Sequence, residues 1–390
     1  MHEIICKIGV STLFYETHKS WLHADSARRL FFLDDESSSS VVSDRQVLVL
    51  AAHDFMQRQL AIRKIGHMAA FKQLWIVDDC IAAEIQEVKL LAESLLSEWA
   101  DFGVRVCRHQ RMNAKLSMYP FAALRDAKKN VPAVIVGAGP SLEKVESSIP
   151  YESAFIIAAG SALPLLEKSP HLAVAVCPFK PLFRGKHLKT PLCVQRRVHP
   201  ESAKGPLLWM EDAFDGGWSV GNTAMALAFY LGCNPIVLVG MDLCYSQGRK
   251  YAKKGKEKKS DAWIESLDCV GKRVFTQRDW LVSAHWFHSF AANHPQTQFF
   301  DATALGLYTF APQPLSAFSW PKRDDLALDL QSLSSEPYIP PKLDYELLWN
   351  LWAPLFEREL MIDPHPLSIE QKLNIQKQLF FDQIQAEHGR

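Results

Sequence analysis

The chain has 390 residues, 48% of them hydrophobic, and its 43 Lys and Arg balance 43 Asp and Glu, for a net charge of +0. That length fits two domains better than one, and the charge balance excludes a global pull toward nucleic acid or an anionic membrane, so any anion site is local. No window is long and charge-free enough for a membrane span, and eight scattered cysteines without a C-x-x-C pair read as free thiols in a reducing compartment. The first apolar run is broken by Lys7 and leads to no small-residue cleavage pattern, so no signal peptide is expected and the chain reads as soluble and cytoplasmic.

Residues 1–125 read as an N-terminal α/β module. Arg29–Leu33, Gln46–Ala51, Leu74–Val77 and Gly103–Cys107 are short apolar runs, and Ile85, Val88, Ala92, Leu95 and Trp99 fall at helical spacing between the last two. Strands alternating with helices predict a doubly wound, mostly parallel sheet. Asp34-Asp35 and Asp78-Asp79 close two of the strands. Open α/β sheets bind ligands at such ends, but acids there more commonly meet solvent or cap the next helix, and they are read that way here. Ser37–Ser40 reads as a loop, and the module, lacking a glycine-rich turn, is assigned a positioning or partner-binding role.

Residues 131–310 read as the core α/β domain. Val134–Val136 leads into Gly137-Ala138-Gly139-Pro140-Ser141 and then a helix: a strand, a tight turn and a helix N-terminus. Such a turn lets backbone N–H groups approach a phosphate, with Ser141 as cap or donor. It lacks the third glycine of a dinucleotide fingerprint and the Lys of a P-loop, so by itself it is equally a structural turn. Ala154–Ala159, Gly160-Ser161 and an apolar helix to Lys168 repeat the design. Leu172–Val176 ends at Cys177-Pro178, and a basic stretch from Lys180 to Arg197 follows, read mainly as a solvated face. A second glycine-rich loop, Asp215–Thr223, opens an apolar, buried helix stopped by Gly232; Ser219, Asn222 and Thr223 at its start are either an ordinary cap or an anion site. Pro235–Val239 ends in Gly240-Met241-Asp242, where Asp242 can hold a divalent metal or a ribose hydroxyl. Gln247–Lys259 reads as a lid-like loop, and Gln277–His294 as a helix with His285 and His288 on one face. Gln298–Phe300 is the last strand.

Five motifs stand in order: G-x-G-P-S-L, A-x-G-S-A-L, G-G-x-S-V-G-N-T-A-x-x-L-A-x-x-L-G, I-x-L-x-G-x-D-L and F-x-[ND]-A-T. Together, over Val131 to Gly306, they resemble the domain shared by bacterial motility accessory factors and archaeal 6-hydroxymethylpterin diphosphokinase-like proteins. The turn and the G-x-D strand also resemble bacterial sialyltransferases with a CMP-sugar site. The resemblance implies one of two chemistries: transfer of a nonulosonic acid sugar from a CMP-activated donor to a protein acceptor, or Mg²⁺-dependent diphosphate transfer from ATP to a pterin. It further implies that Gly137, Gly139, Pro140, Ser141, Gly160 and Ser161 line a nucleotide. Ser219, Gly221, Asn222 and Thr223 would close the site from the opposite loop, and Asp242 would serve as polar anchor or metal ligand. Tyr245, His285 and His288 are the candidate bases. Cys177 departs from the family, which usually carries Asp at that place, and a thiol does not replace a carboxylate toward Mg²⁺. A degenerate nucleotide-binding scaffold is the third reading. The N-terminal region favours the glycosyltransferase-like branch.

Residues 311–345 are rich in proline, serine and charge and read as a connector; 346–390 read as a helical tail. Its last helix opens with a capping box, Ser368-x-x-Gln371, and carries Leu373, Ile375, Leu379, Phe380 and Ile384 mostly on one side. That side covers a sheet face or pairs with a second copy as a homo-oligomer.

Overall fold

The computed structural model describes residues 2–35, 42–69, 72–94, 109, 112–113, 116–178, 180–195, 197–210, 216–253, 263–303, 306–333, 336–337, 349, 353, 357, 360–361 and 365–388. The expected strand Gly103–Cys107, the Ser37–Ser40 loop and residues 254–259 of the Lys-rich loop lie outside them. The chain divides into two units. One comprises residues 1–108, 213–215 and 341–390; the other comprises 109–212 and 216–340.

In the first unit, β1 (Ile4–Ile8), α1 (Thr12–His23), β2 (Arg29–Asp34), β3 (Val47–Ala51), α2 (Phe55–Met68), β4 (Leu74–Ile76) and α3 (Asp79–Ser94) alternate as expected. The strands form a parallel sheet in the order β3-β2-β1-β4. Leu30, Phe31 and Phe32 in β2 are all fully buried, because a parallel sheet covered on both faces admits no polar alternation. Each such side chain contributes about 1.5–3 kcal/mol of burial. The innermost strand pair includes β1, which the sequence reading passed over because Lys7 interrupts its apolar run. Ser11 caps α1 by accepting the N–H of Phe14 at 3.2 Å. Of the strand-end acids, Asp79 lies in the first turn of α3, Asp78 accepts the N–H of Ile8 at 2.7 Å, and Asp34 lies 3.9 Å from His53. These are structural uses.

The second unit is built on a larger sheet of β5 (Ser117–Pro120), β6 (Ala133–Val136), β7 (Phe155–Ala159), β8 (Leu172–Ala175), β9 (Leu192–Val194), β10 (Leu207–Trp209), β11 (Ile236–Val239), β14 (Phe299–Asp301) and β15 (Glu336–Pro337). A separate antiparallel hairpin is formed by β12 (Ile264–Leu267) and β13 (Arg273–Thr276). The sheet order is β14-β11-β6-β7-β8-β9-β10-β5-β15, parallel throughout except for β15 on β5. Thus Ser117–Pro120, within the stretch read as the N-terminal module, and Glu336–Pro337, within the connector, both pair in this sheet.

Every residue of β6, β7, β8 and β11 is buried. That is why these strands were legible as unbroken apolar runs. The connections are shorter than expected. α4 (Leu142–Val145) is a single turn that passes into a 3-10 turn, and Pro150 then bars helix for Ile149. After β7 a 3-10 segment, Gly160–Leu165, replaces the expected α-helix, with Pro164 unable to donate an intrahelical bond. α5 (Val220–Tyr230) is buried from Gly221 to Ala228 and packs across β6, β7 and β8. It ends in a Schellman motif: Gly232, at φ +80°, donates to Phe229 O, and Cys233 donates to Ala228 O. α6 (Arg278–Asn293) matches the expected aromatic helix and buries Trp286, Phe287 and Phe290.

α7 (Ile369–His388), which belongs to the first unit, begins with the expected capping box. Gln371 N–H donates to Ser368 Oγ at 3.2 Å, and Ser368 N–H to Gln371 Oε1 at 3.0 Å. Phe380 is buried beside Trp349, whereas Ile375 and Leu379 are exposed. Among the described residues no helix is long and apolar enough to cross a membrane.

Candidate functional site

From β6 the chain adds β7, β8, β9 and β10 in one direction, then places β11 and β14 on the other side of β6. The switch point therefore falls between β6 and β11, and the crevice outside the carboxyl ends of such a strand pair is where open α/β sheets take ligands. Both strands run out into glycine there. Gly137 N–H donates to Val239 O and Gly139 N–H to Gly240 O, each at 2.8 Å. A Cβ on Gly137 would lie 2.4 Å from Gly240 O, and one on Gly139 would lie 2.2 Å from Asp242 Oδ1. Close approach, rather than backbone conformation, demands these two glycines.

Asp242 ties the turn down. Ser141 donates to it from N–H at 3.1 Å and from Oγ at 2.5 Å, and Ser246 Oγ donates at 2.9 Å. Ser141 is thus a donor to a carboxylate across the switch point and makes no side-chain cap bond to α4. Asp242 is 2% exposed. Burial pushes its carboxyl up to about 6, against the opposing effect of the Ser141 and Ser246 bonds, and the neighbouring charge of Asp301 adds to the rise. Asp301, at the end of β14, is also raised by burial and is held by Thr309 and Thr303. Thr303 Oγ1 in turn accepts the N–H of Met241 at 3.1 Å.

The second glycine loop meets the first across Met241. Met241 Cε would lie 3.1 Å from a Cβ on Gly137, and its Sδ 2.5 Å from one on Gly221. Ser219 and Asn222 form a full capping box at the start of α5. Asn222 Nδ2 also donates to Ser283 O, and Thr223 Oγ1 to Gly216 O. The polar side chains of this loop are therefore engaged within the protein, which is the ordinary-cap alternative of the sequence reading. The N–H groups of Val220 and Gly221, the first two of α5, have no partner among the described residues. They are the donors this loop can offer an anion. After β7, Gly160 is buried with a Cβ position 3.1 Å from Val174 O, and Ser161 is exposed.

Tyr245 follows Asp242 on the same loop. Its hydroxyl donates to Gln277 at 2.8 Å and its ring stacks on Trp263 at 3.9 Å. His285 and His288 lie on the exposed side of α6, 3.4 Å from Ser289 Oγ and 3.2 Å from Tyr308 O. Residues 249–253 fold back on the turn: Ala252 N–H donates to Ala138 O, and Arg249 and the Lys253 N–H both bond Glu143. Cys177 is exposed at the end of β8.

Ser246 and Thr303 were not singled out from sequence. Ser246 bonds Asp242 four residues back in a loop without a recognisable pattern, and Thr303 bonds Met241 62 positions away, although Thr303 does stand in the F-x-[ND]-A-T motif. As a home for Mg²⁺ the donor set does not fit. A hard cation needs several free oxygens, yet the Asp242 and Asp301 carboxylates are buried and engaged by serine and threonine donors. Cys177 supplies an exposed thiol, a poor ligand for a hard cation. Among the described residues no group of three or more His, Cys, Asp or Glu is placed to hold a metal.

A comparison with curated proteins returns no match. Among solved structures the chain is similar to the MAf glycosyltransferase from Magnetospirillum magneticum AMB-1, at 15% identity and a TM-score of 0.49. The aligned region covers 83% of this chain and 59% of that one, so the chain spans about three-fifths of that protein. Residues 108–248, the stretch that holds both glycine loops, Asp242 and Ser246, match the family described as 6-hydroxymethylpterin diphosphokinase MptE-like.

Proposed function

We propose that the chain is a nucleotide-dependent transferase of the glycosyltransferase-like kind, taking a nonulosonic acid sugar from a CMP-activated donor. The observation that carries this reading is the junction at the switch point, where the Gly137–Ser141 turn, Asp242 and the start of α5 converge on Met241. A nucleotide monophosphate leaving group needs donors placed before reaction, and the N–H groups of Val220 and Gly221, without a partner among the described residues, supply them. Asp242 acts as a positioning residue: it is buried and fixes the turn through Ser141 and the following loop through Ser246. Ser161, exposed after β7, provides a hydroxyl for the nucleotide. Tyr245 is the acid–base candidate nearest Asp242 in the chain; His285 stays a candidate only for a donor that reaches the exposed side of α6.

The family match of residues 108–248 favours a second reading, ATP-dependent diphosphate transfer to a pterin, with Mg²⁺ as cofactor. The engaged state of Asp242 and Asp301 weighs against it. A thermal-shift screen with CMP, CMP-sugars and ATP, each with and without Mg²⁺, separates the two. A shift with CMP compounds independent of Mg²⁺ supports the first. A shift with ATP only in Mg²⁺, together with AMP release in the presence of 6-hydroxymethyl-dihydropterin, replaces it with the second. Silence across the panel leaves the scaffold reading.

A further inference from the structure

The basic stretch that the site does not use folds into an outward-facing knuckle between β8 and β9, within the larger sheet. After β8 the chain returns through residues 180–190 to the start of β9. Arg184, His187 and Thr190 point inward at a spacing of three. Arg184 is 5% exposed and donates to the carbonyls of His187, Leu188, Thr190 and Lys204. His187 lies 2.9 Å from Ser169 Oγ, and Thr190 Oγ1 donates to Pro170 O. Ser169 and Pro170 lead into β8, and Lys204 leads toward β10. The knuckle therefore sits at the amino ends of these strands, whereas Gly137, Gly160 and Asp242 sit at carboxyl ends.

The alternate positions face out. Phe183 is 78% exposed and Leu188 is 46% exposed. Lys186 and Lys189 are exposed between and beside them, and Lys168 and Lys204 are exposed on the flanking segments. Lys186 Nζ reaches the Glu167 carbonyl, which brings Lys168 alongside. Among the described residues the acids beside these segments are Glu146, Glu167 and Glu201, against the four exposed lysines Lys168, Lys186, Lys189 and Lys204, so positive charge prevails. The carbonyl bonds of Arg184 hold the knuckle in one shape, so little order is lost when it docks.

We propose that this knuckle docks the protein on an anionic lipid surface. Phe183 and Leu188 enter the boundary between headgroups and acyl chains, and the surrounding lysines meet lipid phosphates. Charge complementarity selects an anionic partner. A protruding phenyl ring needs no matching pocket in a bilayer, whereas a protein partner has to supply one. With zero net charge over the chain, binding depends on this local patch and weakens with salt. Docking at the amino ends leaves the carboxyl-end site facing away from the lipid.

The test is flotation of the full chain with phosphatidylcholine vesicles, with and without phosphatidylserine, at low and high salt. The expected result is binding to the anionic vesicles alone, weakened by salt. The pair Phe183→Ala with Leu188→Ala, and the pair Lys186→Glu with Lys189→Glu, are each expected to lower it by about tenfold or more. Should the first pair lower the melting temperature, the charge-reversal pair decides. Absence of binding to anionic vesicles, or binding that either correctly folded pair retains in full, overturns the proposal. Retention on polyglutamate without vesicle binding also overturns it and transfers the patch to an acidic protein partner.

Discussion

Replacing Asp242 with Asn removes a titrating group from the centre of the site while keeping its shape. The carboxyl has an ordinary value of 3.8 and is raised to about 6 in the fold, chiefly by burial. A raised carboxyl binds its proton more tightly folded than unfolded. Its contribution to stability is therefore full below about 3.8 and is lost as pH climbs through about 6. Two pKa units correspond to about 3 kcal/mol. Wild type thus loses about 3 kcal/mol from this group between pH 3.5 and pH 7, and Asp242→Asn does not. The substitution carries its own cost of about 1–2 kcal/mol, since an amide N–H replaces one acceptor facing Ser141 and Ser246, and that cost does not titrate. Urea unfolding of both proteins across this range gives the stability difference directly. The difference is expected to move against wild type as pH rises. A flat difference, or a wild type that gains relative to the variant, refutes the conclusion that burial outweighs the Ser141 and Ser246 bonds at Asp242.

Gly139→Ala would set a Cβ 2.2 Å from Asp242 Oδ1 and so force the turn apart; a loss of about 1–3 kcal/mol in unfolding free energy is expected, with nucleotide-induced stabilisation abolished. Ser368→Ala removes half of the capping box of α7 and is expected to cost about 1 kcal/mol, seen as faster hydrogen exchange in its first turns with the larger sheet unaffected. Tyr245→Phe deletes the hydroxyl bonded to Gln277; an acid–base role predicts a fall in kcat of about 10²–10⁴ with donor affinity unchanged, and equal turnover removes Tyr245 from the chemistry.

The core strands were legible because Val134–Val136, Phe155–Ala159 and Ile236–Val239 are buried on both faces and so appear as unbroken apolar runs. The start and end of α5 were legible because caps are local: Ser219, Asn222 and Gly232 act on neighbours a few residues away. What sequence could not reveal is long-range. Ser141 reads as a helix cap or phosphate donor, yet its partner stands 101 positions away. β9 is three residues set in a basic stretch, too short for any period to show. Arg184 reads as one of several surface cations, and its bond to the Lys204 carbonyl, 20 positions away, comes only with the fold. The glycine turn shows the same division. The need for small residues was visible, while the engagement of its N–H groups with β11 depends on a strand order that no local pattern encodes.

Calorimetric titration of the full chain with CMP in the presence of a chelator tests the central claim most directly. The account predicts saturable binding at one site without divalent metal, lost in Gly139→Ala. No binding of CMP to the folded wild type, or binding confined to ATP with Mg²⁺, contradicts it.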